Sequence, residues 1–179
     1  IDGLVLDVKI GSGAFMKTEQ EARELAGTMI EIGESMNTDV RALLTDMDQP
    51  LGLAVGNALE IAESVDALRG EGPDDLVEIT VELVCEMLDV AGEVEDRSTT
   101  RNRLLTYLED GTALEAFRRI VEAQGGDPAV CDKPRQVMAS ADHVEPLEAP
   151  RAGIIERMNA EQVGLASLQL GAGRMTKED

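Results

Sequence analysis

The sequence has few aromatic, cysteine and histidine residues, and each shortage excludes a class of structure or site. Aromatic residues make up 2% of the 179 residues and tryptophan is absent, so the core must be built from aliphatic side chains and the eight methionines. Cys85 and Cys131 lie far apart without CxxC spacing, and His143, the one histidine, lies in a polar, proline-flanked stretch. These spacings argue against a zinc site or a redox motif. They predict a buried Cys85 and a surface His143.

Positive charge is also scarce, with 16 lysines and arginines against 36 acidic residues and a net charge of -20. A field of this sign repels nucleic acid and anionic membrane surfaces. The excess of acid is either an ordinary solvated surface or an adaptation to a salt-rich cytoplasm, where screening relieves the self-repulsion. No apolar run approaches the length of a membrane helix, and no secretory signal is visible. We therefore expect a cytoplasmic protein that binds neither nucleic acid nor membrane.

The first fifty residues have the pattern of a strand, a helix and a second strand. GLVLDV, at 3–8, is a short apolar run with β-branched residues, which is typical of a buried parallel strand. Thr18 and Glu21 have the spacing of a capping box, and apolar residues at helical spacing predict a helix over 19–36. VRALLTDM, at 40–47, predicts the next strand. Together they predict a right-handed βαβ crossover unit.

The rest of the chain is predicted to be mainly helical. Asn57, with Glu60, is expected to cap the helix at 58–68. The other expected helices have apolar residues at helical spacing and lie at 74–91, 98–109, 112–124 and 159–170. Between the last two, the proline-containing segment 125–150 predicts a linker. A strand is expected at 153–157.

A glycine-rich loop, GSGA at 11–14, follows the first strand, where α/β proteins often place their chemistry. Its backbone N–H groups could face an anion, but its spacing fits neither a Walker A loop nor a dinucleotide fingerprint. Phe15 and Met16 follow, either as an apolar wall beside a ligand or as core residues under the loop. Asp7 and Lys9 alternate on the strand, so we expect an ion pair in which the lysine keeps its proton.

Two further clusters resemble ligand sites but have simpler explanations. Asp46, Met47 and Asp48 could hold a divalent ion, yet no histidine or third carboxylate follows at ligand spacing, so we expect a turn. The sequence GAGR at 171–174 could suggest a phosphate site, but a helix C-cap explains it. Neither cluster is therefore predicted to bind a ligand.

Four longer segments resemble a known enzyme family. They are LDVKIGSGAFMKT (6–18), LLTDMDQPLGLAVGNALE (43–60), LRGEGPDDL (68–76) and GLASLQLGAGRMTKED (164–179). In order and approximate spacing, they resemble pyrimidine nucleoside phosphorylases and thymidine phosphorylases. The resemblance implies an internal piece of such an enzyme, with a central α/β portion at 1–135 and a linker and the start of a C-terminal domain at 136–179. The expected fold class is α/β, with a partial mixed or parallel sheet flanked by helices and the beginning of a C-terminal α+β subdomain.

The resemblance also implies an activity for the parent enzyme. Inorganic phosphate would cleave the N-glycosidic bond of uridine, thymidine or deoxyuridine, giving the free base and a pentose 1-phosphate. The family's phosphate-loop lysine and serines and its base-gripping residues would lie before Ile1. No catalytic residue is therefore assigned in this chain, and the isolated chain is expected to be inactive.

Within the chain, the resemblance implies two binding regions and a homodimeric parent enzyme. Phe15 and Met16 would form an apolar wall beside the pyrimidine ring. A potassium ion would be bound by the backbone carbonyls of Leu51 and Ala54 and by the carboxylate of Glu63, since hard oxygen ligands suit a weakly charged ion. Without the resemblance, Glu63 would be interpreted as a solvated helix residue.

Two other functions stay open at this point. A phosphoribosyltransferase, such as one acting on anthranilate, shares the architecture and pentose chemistry but is not expected to carry GSGAFMKT (11–18) or LLTDMDQPLG (43–52). The other alternative is a non-catalytic oligomerisation or scaffold domain.

Overall fold

The computed structural model describes residues 3–94 and 96–173 as an α/β fold with a two-stranded parallel sheet. The elements follow in chain order as β1 (Gly3–Ile10), α1 (Glu19–Ser35), β2 (Asp39–Asp46), α2 (Asn57–Ala67), α3 (Asp74–Val90), α4 (Arg97–Glu109), α5 (Thr112–Ala123), a 3-10 turn (Pro128–Cys131), α6 (Pro134–Val137) and α7 (Ala160–Gln169). The predicted α/β class is confirmed, and so are the six predicted helices, α1 to α5 and α7, each to within two residues at either end. Within the described residues, no helix has both the length and the apolar character that crossing a membrane requires.

The strands and α1 form the predicted strand–helix–strand unit. β1 and β2 pair in parallel from Gly3 opposite Asp39 to Ile10 opposite Asp46. α1 begins with the predicted capping box, in which Thr18 accepts a hydrogen bond from the Glu21 N–H and the Glu21 carboxylate accepts one from the Thr18 N–H. The start of α1 is therefore fixed by a local sequence signal.

The core between α1 and the sheet is aliphatic, as the composition predicts. Its buried residues are Val8, Ala22 and Ala26, packed against the half-buried Leu6, Ile10, Met16, Ala42 and Leu44. Gly33 on α1 directly faces Val40, where any side chain would collide with the valine. Small residues on α1 thus bring the helix close to the sheet.

The start of α2 differs from the prediction. Gly56, rather than Asn57, is the N-cap, and its φ of 126° lies in a region that favours glycine. The Glu60 carboxylate accepts a hydrogen bond from the Gly56 N–H at 2.9 Å. Asn57 is the first helical residue, and its N–H bonds to the distant Ala172 carbonyl at 2.8 Å.

The proline-containing segment is partly packed. Cys131 and Pro134 are buried, and the Arg69 guanidinium donates to the Asp132 carbonyl at 3.1 Å. Residues 139–158 have no helix or strand and are exposed, including the predicted surface residue His143. The strand expected at 153–157 is not formed, since Ile154 is 96% exposed and these residues pair with no strand of the described chain. The division at 135/136 remains a prediction.

Cys85 is a buried residue of α3, as predicted. Burial raises the pKa of its thiol, because removal from water disfavours the thiolate. The same holds for the buried Cys131. Both side chains therefore act as small apolar core residues.

Candidate functional site

Two loops meet at the carboxyl ends of the parallel strands. The first loop, residues 11–18, joins β1 to α1, and the second loop, residues 47–56, joins β2 to α2. The Met47 N–H donates to the Ile10 carbonyl at 2.6 Å, and the Gly13 N–H donates to the Met47 carbonyl at 2.9 Å. The edge of a parallel sheet at which strands end is where α/β folds place ligands, so these loops form the candidate site.

Asp48 connects the two loops. Its carboxylate accepts a hydrogen bond from the Ser12 N–H at 2.8 Å, and its own N–H bonds to the Asp46 carboxylate at 2.9 Å. Gly11 has a φ of 127°, and a Cβ there would lie 2.7 Å from the Asp48 nitrogen. The predicted turn at 46–48 is confirmed. The described residues contain no group of three or more His, Cys, Asp or Glu side chains that could hold a metal.

The two residues predicted to form an apolar wall lie in different environments. Phe15 is 99% exposed at the tip of the first loop. Met16 is half-buried and packs against the core, and its carbonyl accepts a hydrogen bond from the Gly11 N–H at 3.0 Å. The core interpretation therefore holds for Met16 and is wrong for Phe15. The Phe15 ring is exposed to solvent on the first loop.

Asp7 and Lys9 form the predicted ion pair. The Lys9 ammonium lies 2.7 Å from the Asp7 carboxylate. The Thr45 hydroxyl of the neighbouring strand also donates to Asp7. The Asp7 carboxylate is thus held by partners on both strands.

Glu63 lies against the second loop. Its carboxylate accepts a hydrogen bond from the Leu53 N–H at 2.9 Å. Gly52, with a φ of 70°, allows the close approach, because a Cβ there would collide with the carboxylate. Glu63 is thus a half-buried residue of α2 whose carboxylate contacts the second loop. A carboxylate and the turn that contains Leu51 and Ala54 lie together.

Sequence reasoning missed three residues that hold these loops. Asp75, in the first turn of α3, accepts a hydrogen bond from the Gly52 N–H at 3.0 Å. The Ser12 hydroxyl donates to the Asp48 carbonyl at 3.2 Å, and the Ser167 hydroxyl of α7 donates to the Val55 carbonyl at 3.1 Å. Each bond joins residues 23 or more positions apart, and no sequence pattern indicates such pairings.

The end of α7 is a Schellman cap. The Gly171 N–H donates to the Leu168 carbonyl, and the Ala172 N–H donates to the Ser167 carbonyl. Gly171 has a φ of 85°, so the predicted C-cap is confirmed. Arg174 lies outside the described residues.

Comparison with known proteins agrees with the resemblance. The chain is 43% identical over 178 residues to the pyrimidine-nucleoside phosphorylase of Bacillus subtilis and 42% identical to that of Staphylococcus aureus. Each alignment covers 99% of this chain, which spans 41% of the length of these relatives. The model of the family described as "Glycosyl transferase family, a/b domain" matches residues 1–114. The chain therefore belongs to this glycosyl transferase family.

Proposed function

We propose that this chain is the central part of a pyrimidine nucleoside phosphorylase. The observation that carries the proposal is the 43% identity to the Bacillus subtilis pyrimidine-nucleoside phosphorylase over 99% of the chain. Phosphate attacks the anomeric carbon of a pyrimidine nucleoside, the glycosidic bond breaks, and its electron pair leaves with the base. The products are the free base and a pentose 1-phosphate. No residue of this chain is assigned a catalytic role.

In this proposal, Phe15 and Met16 bind the nucleoside. The exposed Phe15 ring supports this role, because an apolar face at the strand ends offers contact to the pyrimidine ring. Met16 supports it differently, since its packing against the core fixes the backbone next to Phe15. Phe15 would thus contact the nucleoside, and Met16 would hold Phe15 in place.

A potassium ion is proposed at the second loop, held by the Leu51 and Ala54 carbonyls and the Glu63 carboxylate. The contact between Glu63 and the Leu53 N–H supports the assignment, because it keeps a formal negative charge beside this turn. The donor set fits, since carbonyl and carboxylate oxygens are hard ligands. A bound ion would supply positive charge next to the Glu63 carboxylate. The net charge of -20 favours cation binding in general.

The parent enzyme is further proposed to be a cytoplasmic homodimer, by analogy with the family that the sequence resembles. Its substrates are the nucleoside and inorganic phosphate. The negative field of this chain disfavours nucleic acid and anionic membranes as partners. A phosphoribosyltransferase or a scaffold role is not favoured, since the relatives named above are phosphorylases.

The test is release of free base from uridine or thymidine by the complete polypeptide that contains this chain. We expect release that requires inorganic phosphate and increases with potassium. Glu63→Gln should raise the potassium concentration for half-maximal activity about ten-fold, a loss of about 1.4 kcal/mol of binding free energy, because it removes the one charged ligand. Glu122→Gln, an exposed glutamate of α5, is the matched control and should leave this concentration unchanged.

Two outcomes would contradict the proposal. The first is a complete polypeptide that releases no base from either nucleoside in the presence of phosphate. The second is phosphate-dependent turnover by the isolated 179-residue chain, because the proposal assigns it no catalytic residue. Equal effects of Glu63→Gln and Glu122→Gln would remove the potassium site alone.

A further inference from the structure

The first turn of α7 is bound to both loops of the candidate site. The Ala160 N–H lies 3.1 Å from the Ser12 hydroxyl oxygen and 3.2 Å from the Asp48 carbonyl oxygen. Ala160 is buried there. Beside it, the Lys17 ammonium donates to the Ser12 carbonyl at 2.8 Å and lies 4.0 Å from the Glu161 carboxylate. This end of α7 therefore meets the first loop at Ser12 and Lys17.

The other end of α7 is bound to the far part of the second loop. The Ser167 hydroxyl donates to the Val55 carbonyl at 3.1 Å, and the Asn57 N–H donates to the Ala172 carbonyl at 2.8 Å. The Schellman cap that follows α7 holds Ala172 in position for this second bond. This end thus meets the chain directly after the turn that contains Leu51 and Ala54.

A glycine allows close approach at each of these contacts. A Cβ at Gly13 would lie 2.8 Å from the Ala160 Cβ, and a Cβ at Gly56 would lie 2.6 Å from the Ala172 Cβ. Carbon atoms in van der Waals contact are about 3.5–4.0 Å apart, so neither loop could carry a side chain there without moving α7. Both ends of the helix are therefore fitted closely to the loops.

We infer that α7 is a positioning strap, which fixes the distance between Ser12 and Asp48, where the two loops meet, and Val55 at the end of the second loop, and that Ser12 and Ser167 are positioning residues at its two ends. Ten helical residues at 1.5 Å each give a rigid span of about 15 Å. The coupling between the two ends of α7 is inferred from these contacts alone. Its consequence for catalysis rests on the proposed function, because α7 would then set the distance between Phe15, which contacts the nucleoside, and the turn that contains Leu51 and Ala54.

The coupling is tested by amide hydrogen exchange at the end of α7 opposite each substitution. Ser12→Ala should accelerate exchange of the Asn57 N–H, and Ser167→Ala should accelerate exchange of the Gly13 N–H. We expect about a five-fold change in each, corresponding to loss of one hydrogen bond. The buried Val8 amide serves as the reference for global unfolding, and its exchange should not change.

Two variants separate coupling from a general loss of structure. Ser35→Ala removes a serine hydroxyl that donates to the Ile32 carbonyl at 2.7 Å, at the distant end of α1, and should affect neither loop. Ser167→Thr keeps the hydroxyl and should restore slow exchange at Gly13. Variants that accelerate only the amides at their own end of α7 would overturn the inference.

A kinetic readout in the complete polypeptide separates this inference from the proposed function. Ser167→Ala should raise the KM for the nucleoside several-fold as well as the half-saturating potassium concentration, with a smaller change in kcat. Ser35→Ala should change none of the three. An inactive wild-type protein would refute the proposed function and leave the exchange result standing. An active enzyme whose Ser167→Ala variant has an unchanged KM would refute the role of α7 in positioning the site.

Discussion

The two phenylalanines of the chain lie in opposite environments. Phe15 is 99% exposed on the first loop, while Phe117 is half-buried in α5. Substituting each by alanine removes the same ring, so only the surroundings differ. The pair therefore distinguishes a ligand-binding role from a packing role.

Phe15→Ala should leave the melting temperature within about 1 °C of wild type, because substitutions of exposed residues change stability by less than about 0.5 kcal/mol. In the complete enzyme it should raise the KM for the nucleoside about ten-fold, since an aromatic contact contributes on the order of 1–2 kcal/mol. Thermal unfolding and initial-rate kinetics measure the two effects.

Phe117→Ala is the matched control. It should lower stability by about 2 kcal/mol, because part of the ring leaves an apolar environment, and it should leave the KM unchanged. The assignment of Phe15 to an apolar wall beside the pyrimidine ring would be wrong if Phe15→Ala destabilised the protein as much as Phe117→Ala did and left the KM unchanged.

Among the elements, α4 is joined to α3 by a network of ion pairs. Thr100 is its buried residue. The Arg97 guanidinium lies 2.6 Å from both Glu82 and Glu86 of α3, and Arg101 lies 2.6 Å from Glu82. A connected network in which each arginine bonds to more than one carboxylate contributes more stability than isolated surface ion pairs. These pairs therefore dock α4 on α3.

Glu86→Gln should lower the melting temperature by about 3 °C at pH 7, for a loss of about 1 kcal/mol. Hydrogen bonds from Arg97 and then Arg41 hold the pKa of Glu86 below its ordinary value. A lowered pKa contributes stability above the ordinary glutamate pKa, and this is lost as the pH falls through the lowered value. The difference between variant and wild type should therefore disappear in acid, as thermal scans from pH 7 to 3 would show.

Glu31→Gln controls for the change in net charge. Glu31 is exposed on α1, so its loss should be neutral or slightly stabilising in a protein with an excess of acid. If Glu86→Gln and Glu31→Gln gave the same melting temperatures at every pH, the arginine network would not dock α4.

Local signals in the sequence predict the elements well and their long-range contacts poorly. Thr18 and Glu21 lie three positions apart, so the capping box could be predicted. Gly56 rather than Asn57 is the N-cap of α2, and the Asn57 N–H bonds to the carbonyl of Ala172, 115 residues later. No periodicity carries that information, since the bond depends on where α7 lies.

The same limit applies to the candidate site. The resemblance places the Leu51 and Ala54 carbonyls and the Glu63 carboxylate at one cation, and the structure adds that Glu63 accepts a hydrogen bond from the Leu53 N–H. The exposure of Phe15 could not be predicted, because an apolar residue after a strand is usually buried. The sequence pattern identifies the loops, and tertiary contacts decide which side chains are free to bind.

At the scale of the whole molecule, charge is the dominant feature. A net charge of -20 on 179 residues creates self-repulsion that salt screens. The Debye length falls from about 10 Å at 0.1 M salt to about 3 Å at 1 M. Screening acts on all exposed charges together, whereas a cation site at Glu63 would respond to one ion at low concentration.

The two effects can be separated by comparing potassium, sodium and choline chlorides. We expect the melting temperature to rise by several degrees between 0.05 and 1 M in all three salts, because each screens the acidic surface to a similar extent. At millimolar concentrations only potassium should raise it further, since binding to the folded state alone adds stability by mass action.

Glu63→Gln should abolish the potassium-specific increase and leave the general increase intact, because removing one of 36 acidic residues scarcely changes the total repulsion. A melting temperature that does not rise in any salt would remove the interpretation of the acidic surface as a salt adaptation. A rise that is identical for the three cations at every concentration would instead leave screening as the whole effect, and the turn beside Glu63 would then have no selectivity for potassium.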